Sequence, residues 1–213
     1  MSSTTLIRWS GLTVLLGGLA YALFVLVHPF GGITESHVIH SGRWLVAHTL
    51  HSLGAVLVLL GLPGLYASRR QQTGRLGLAG YLVAFVGTAL FAGMGLITAY
   101  VFPLAPALTD PNGPAQGSPF VAVFLLQTLA MIAGFVLLAI AGLRAGALPS
   151  WVGLPLIAGA VLFNVPAVAV PYAIPLVGGV LFGAGLGWWG YALWSQEARP
   201  AAQPGPQPVP AGL

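Results

Sequence analysis

The histidines of this 213-residue chain are confined to one short stretch between positions 28 and 51. Imidazole is the commonest metal ligand in proteins and the side chain that most easily changes charge near neutral pH. At about 100° per residue, the last four histidines share an arc of roughly 80° on one helical face. The members of this cluster are His28, His37, His40, His48 and His51. Their spacing predicts a site that binds a metal ion or a proton.

Three of these histidines have a spacing that suits one shared ion. His48 and His51 are three residues apart, so a helix places both imidazoles on one side. His28 ends the preceding apolar run and can fold back as a third ligand, with His40 as a further candidate. We therefore expect Zn, Cu or Ni bound by His28, His40, His48 and His51, or a single haem b held by His28 and one partner histidine.

Polar residues in later apolar runs are predicted to lie at a similar depth. Gln127 and Asn164 are expensive to bury in lipid unless they bond to a partner or contact a ligand. We expect both to line a cofactor pocket together with His51, Tyr21 and Tyr100. The alternative is that Gln127 and Asn164 only hydrogen-bond neighbouring helices.

Composition determines the environment in which these residues act. Hydrophobic residues make up 57% of the chain, charged residues 5%, and mean hydropathy is +0.93. A soluble domain carries about 25% charged residues, so this surface must be solvated by lipid. Apolar runs long enough for a bilayer predict an all-α, polytopic membrane helical bundle of about six transmembrane helices. The runs cover residues 9–27, 44–66, 76–102, 120–143, 151–170 and 175–194.

The basic residues, all arginine, predict the orientation. If the six runs alternate in direction, six arginines fall on one side and Arg43 alone falls on the other. Basic loops mark the cytoplasmic face, so both termini are expected in the cytoplasm of a bacterial inner membrane. The histidine cluster would then face the periplasm or exterior. The arginines form no stripe along a surface, which argues against nucleic acid as a partner.

Several enzyme classes are excluded by the residues that the chain lacks. There is no cysteine, so thiolate sites and disulfide chemistry are absent. The acidic residues are only Glu35, Asp110 and Glu197, which gives no paired intramembrane carboxylates and no acid for a serine triad. An enzyme is the minority interpretation. Residues 1–198 are expected to form the membrane domain, and the Pro-rich residues 199–213 a disordered cytoplasmic tail.

Two family resemblances bear on these predictions. Residues 28–33, followed by Glu35 and His37, resemble the His-Pro-x-x-Gly-x-Asp-His motif of hydrogenase- and urease-linked nickel permeases. Here the acid and the histidine come about two residues late, and no second histidine motif follows. Residues 61–66 and 74–81, with the proline-rich loop after the third run, resemble uncharacterised six-span bacterial membrane proteins. That family implies a six-helix membrane fold and no particular activity.

Two functional hypotheses follow from the sequence. In the first, the outer-face histidines bind a transition metal or one haem for transport, sensing or electron transfer. In the second, the chain is a cofactor-free structural subunit or assembly factor that packs against other membrane proteins through its glycine-rich helix faces.

Overall fold

A computed structural model describes residues 3–29, 35–110, 112–113, 118–165 and 170–195. These residues form helices and connecting turns, with no strand among them. The helices are α1 (Ser3–Val27), α2 (Ser36–Ile39), α3 (Gly42–Ala67), α4 (Arg70–Leu96), α5 (Pro106–Thr109), α6 (Ser118–Arg144), α7 (Ser150–Phe163) and α8 (Ala173–Trp194). The predicted tail, residues 199–213, lies outside the described part of the chain.

The longer helices are arranged as a closed ring. Each packs against its neighbours in the order α1, α3, α4, α6, α7, α8, and α8 returns to α1. The contacts run antiparallel: Gly11 of α1 lies against Gly190 of α8, while Gly18 lies against Gly183. Because every neighbour reverses direction, α1 begins and α8 ends at the same end of the ring. There the guanidinium Nε of Arg8 donates a hydrogen bond to the Trp194 carbonyl, at 3.4 Å.

Five helical stretches of the described residues are long and apolar enough to cross a membrane. They are Thr5–Val27, Gly42–Ala67, Arg70–Leu104, Pro119–Arg144 and Ala173–Trp194. The third stretch is α4 extended by a π-helical turn, Ile97–Val101, and a 3₁₀ turn, Phe102–Leu104. Outward-facing leucines such as Leu60, Leu129 and Leu154 are more than 60% exposed in the protein alone, as lipid-facing residues would be. The chain is therefore an all-helical bundle built for a bilayer.

The predicted fifth run gives a shorter helix than the sequence suggested. We expected a span over residues 151–170, but α7 ends at Phe163 after 14 residues. At 1.5 Å per residue it is about 21 Å long, less than the roughly 30 Å hydrocarbon core. Pro166 explains the early end, because proline lacks a backbone N–H and disfavours a helical residue before it. By length, the structure supports five spans and one shorter apolar helix.

The start of helix α3 determines where two of the histidines lie in the bundle. The sequence allowed one helix from Ser36 that could break near Ser41, and the structure has that break. Ser41 caps α3 by accepting a hydrogen bond from the Trp44 backbone N–H at 3.2 Å. The Trp44 indole N–H in turn donates to the Thr98 carbonyl at 2.9 Å. These two bonds fix the N-terminal end of α3, the end nearer to His48 and His51.

Candidate functional site

Three histidines from two helices meet at the end of the ring opposite Arg8. The ring centres of His28 and His48 are 5.1 Å apart, and those of His48 and His51 are 6.1 Å apart. His48 and His51 are each 5% exposed, and His28 is half-buried. Helix α3 supplies the pair at three-residue spacing, and His28 follows the last residue of α1. The predicted approach of His28 to this pair is confirmed, and we call these three residues the histidine cluster.

Hydrogen bonds to the backbone fix the ring nitrogens of the α3 pair. His48 Nδ1 lies 3.0 Å from the Trp44 carbonyl, and His51 Nε2 lies 3.0 Å from the Phe91 carbonyl. A carbonyl only accepts, so each of these nitrogens carries the proton and donates. In a neutral ring the other nitrogen then has a free lone pair: Nε2 of His48 and Nδ1 of His51. Metal-binding histidines show the same pattern, with the second ring N–H held by a carbonyl or carboxylate.

His28 lies in a more polar setting at the mouth of the cluster. Its ring stacks on Tyr172, with centroids 5.6 Å apart and planes 20° apart, and the Tyr172 hydroxyl donates to the Val25 carbonyl at 2.8 Å. Burial lowers the pKa of His28 below its ordinary value; the Pro29 backbone opposes this, and the charge of Arg43 adds to it. His28 Nδ1 is buried and has no hydrogen-bond partner. A third lone pair is thus available beside the α3 pair.

Aromatic side chains enclose the cluster. Phe24 contacts all three imidazoles, with ring centres 5.5 Å from His28, 5.7 Å from His48 and 5.0 Å from His51. Trp44 packs on His48 at 4.1 Å, and Phe91 packs on His51 at 3.9 Å. Such surroundings exclude water and strengthen any electrostatic interaction with the imidazoles.

The other two histidines lie outside this cluster. His37 is largely exposed and lies 3.7 Å from the Glu35 carboxylate. His40, which we expected as a metal ligand, has Nδ1 at 2.7 Å from the Ser36 carbonyl and Nε2 at 3.1 Å from the Pro103 carbonyl. Both of its nitrogens therefore face backbone oxygens, and the structure does not bring it to His48 or the rest of the cluster.

The polar residues predicted to line a pocket have different environments. Gln127 is 2% exposed, and its side-chain oxygen has no hydrogen-bond partner. The Asn164 amide instead donates to the Ala160 carbonyl in its own helix, at 2.9 Å. The expectation for Tyr100 is wrong: it is 48% exposed on the outside of the bundle, where its hydroxyl lies 3.1 Å from that of Thr49. The π-helical turn that contains Tyr100 rotates its side chain away from the centre.

As the side chains stand, no ready-made metal cage is present. Within the described ranges, no group of three or more His, Cys, Asp or Glu side chains is arranged to hold an ion. The three imidazoles of the cluster would therefore have to converge further to share a metal.

Several residues around the cluster have no signal in the sequence. Phe24 precedes His28 by one helical turn and could have been inferred from that spacing. Tyr172 and Phe91 could not, because they are far in the chain from His28 and His51, the histidines that they contact. Comparisons with known protein families, with curated proteins and with solved structures find no significant match. The function must therefore be argued from the site itself.

Proposed function

We propose that this integral membrane protein binds a transition-metal ion through His28, His48 and His51, at the end of the bundle opposite the start of α1 and the end of α8. The proposal rests on the hydrogen bonding of the ring nitrogens in the three imidazoles. Each has a nitrogen lone pair that no protein donor uses, and two of the rings have their other N–H held by backbone carbonyls. This supplies three neutral imidazole ligands for Zn²⁺, Ni²⁺ or Cu²⁺.

Ring spacing favours an ion over a haem. Two imidazoles on one tetrahedral ion, with metal–nitrogen bonds of about 2.1 Å, have ring centres about 5 Å apart. The 5.1 Å between His28 and His48 is close to this value, and the 6.1 Å between His48 and His51 requires a small rotation. A haem would need its two ligands on opposite faces of a flat macrocycle. Phe24, which touches all three rings, would then have to be displaced.

The chemistry available to such a site is limited by its ligands. Of the described carboxylates, Glu35 lies beside His37 and Asp110 accepts a hydrogen bond from the Asn112 backbone N–H, and the chain has no cysteine. A site of neutral imidazoles suits reversible binding of a borderline divalent ion. We therefore propose transport or sensing of that ion, with the aromatic shell controlling its access. The arginine bias supports the further proposal that the cluster faces the periplasm or exterior of a bacterial inner membrane.

The test is metal binding by the full chain in lipid nanodiscs. Purified protein is stripped with chelator and titrated with Zn²⁺, Ni²⁺ or Cu²⁺, and bound metal is measured by calorimetry and elemental analysis. We expect one ion per chain. His48→Ala and His51→Ala should each weaken binding by more than about tenfold, because each removes a direct ligand.

His37→Ala is the matched control, since it removes an exposed imidazole near the same membrane face. It should leave metal affinity unchanged. If the combined change of His28, His48 and His51 to Ala leaves metal content and absorbance unaltered in a folded protein, the metal and haem proposals both fail.

A second candidate function rests on a different observation. Imidazoles of the cluster also bridge helices as packing groups: His51 links α3 to the Phe91 carbonyl of α4, and His28 stacks on Tyr172. These contacts would equally serve a cofactor-free subunit of a membrane complex. In that case the alanine variants lower thermal stability, and the wild-type protein binds no metal.

A further inference from the structure

Two polar side chains inside the six-helix ring have buried oxygens without a hydrogen-bond partner. Tyr21 is 0% exposed and Gln127 is 2% exposed. The Tyr21 hydroxyl and the Gln127 side-chain oxygen are both completely shielded and unpartnered. Tyr21 precedes Val27, the end of α1, by six residues, which places it about 9 Å along the helix axis from that end. Both groups thus lie within the membrane-spanning part of the bundle.

The ring contacts of Tyr21 show where its hydroxyl is directed. Its ring centre lies 5.9 Å from Phe91 of α4, 5.8 Å from Phe163 of α7 and 5.5 Å from Phe182 of α8. Helix α1 itself neighbours only α3 and α8, so this side chain reaches across the ring. Helix α6 lies between α4 and α7 and is the helix opposite α1. The Tyr21 ring therefore lies in the centre of the bundle, on the side of α1 that faces α6.

The packing of α4 on α6 places Gln127 at the same height along the bundle axis as the Tyr21 ring. A Cβ on Gly87 of α4 would lie 2.6 Å from the Met131 backbone nitrogen of α6, which aligns these two residues. The helices are antiparallel, so one turn further along α4, at Phe91, corresponds to one turn back along α6, at Gln127. Phe91 is the residue against which Tyr21 packs. Gln127 and the Tyr21 hydroxyl therefore share one layer of the core.

An unpartnered polar group in such a layer is costly. Burial of an amide or hydroxyl without a hydrogen bond is strongly unfavourable, and nearly all buried polar groups have a partner. Between a hydroxyl that can donate and an amide oxygen that only accepts, the complementary ligand is a small molecule that does both. Buried water typically bonds about three such groups.

We propose that Tyr21 and Gln127 form an intramembrane binding site for a water-sized hydrogen-bonding molecule. The ligand accepts from the Tyr21 hydroxyl and donates to the Gln127 oxygen. Phe91 packs on His51 at 3.9 Å and on Tyr21 at 5.9 Å, and the proposed site shares no residue with the histidine cluster. The proposal is thus independent of metal binding.

Hydroxyl-radical footprinting of the full chain in nanodiscs tests the site with water as the probe. Radicals formed from a bound water modify the adjacent side chain even where bulk solvent has no access. We expect Tyr21 to be modified several-fold faster than Phe182, which is equally buried, after correction for intrinsic reactivity. Gln127→Leu should reduce Tyr21 modification to the level of Phe182. Equal modification of Tyr21 and Phe182 in the wild-type protein would overturn the proposal.

A double-mutant cycle provides an independent readout. If one ligand bridges the two groups, Tyr21→Phe and Gln127→Leu should each lower the melting temperature, and the double variant should lower it by less than the sum. Tyr81→Phe removes a hydroxyl from a partly buried ring elsewhere on α4 and is the matched control. Additive or stabilising effects contradict the proposal. Coupling between the two substitutions without modification of Tyr21 also contradicts the proposal, because such coupling indicates a direct bond between the two side chains.

Discussion

A close contact between α1 and α8 gives the sharpest stability prediction. A Cβ placed on Gly18 of α1 would lie 2.5 Å from the Gly183 carbonyl oxygen and 2.6 Å from the Gly187 backbone nitrogen of α8. Ordinary van der Waals contact begins at 3.4 Å, so Gly18→Ala must separate the two helices by roughly 0.9 Å. Backbone atoms cannot rotate away as side chains do. Overpacking of this kind costs about 1–3 kcal/mol, so we expect a loss of about 2 kcal/mol.

The control is Gly93→Ala on α4, where no atom lies within 4 Å of the added Cβ. Gly93 is exposed on the surface of α4. Replacing a helical glycine by alanine without a clash should stabilise by about 0.5–1 kcal/mol. Both variants can be compared by reversible unfolding in mixed micelles, followed by circular dichroism. If Gly18→Ala is as stable as Gly93→Ala, the packing of α1 on α8 described above is wrong.

Four further predictions concern the site and the topology. Burial lowers the pKa of His28 from its ordinary 6.5, so below that pH the unfolded chain binds more protons than the folded protein. The metal-free protein should therefore lose stability as the pH falls below 6.5. Thermal melts at several pH values should show that His28→Gln weakens this dependence. Trp44→Phe removes a buried donor from a backbone carbonyl and should cost about 1–3 kcal/mol in the same melts, unlike a change at exposed Trp151. Arg43→Gln removes the positive charge that acts on His28, so the affinity for Zn²⁺, measured by calorimetry, should rise by about fivefold. An unchanged or lower affinity would argue against an ion at the histidine cluster. Reporters fused after Arg70 should give a cytoplasmic signal and reporters inserted at Asn112 an exterior one; the reverse pattern would refute the orientation.

The membrane class and the positions of five long helices follow from the sequence alone. Runs of apolar residues longer than a bilayer is thick leave few other folds, because each backbone polar group must be satisfied within its own helix. The length of α7 was misjudged because its apolar run continues past Phe163, and hydropathy does not record where Pro166 stops the helix.

The sequence spacing and the tertiary structure together determine which histidines form the cluster. The three-residue spacing of His48 and His51 placed them on one face of α3, because helix geometry is local. Only the closed ring decided that His28 joins them and that His40 does not, since α2 turns His40 towards the Pro103 carbonyl. Likewise, Tyr21 and Gln127 are far apart in the chain. The order in which the six helices pack buries both residues in the bundle. That order depends on side-chain and glycine contacts between helices, which no single run of the sequence encodes.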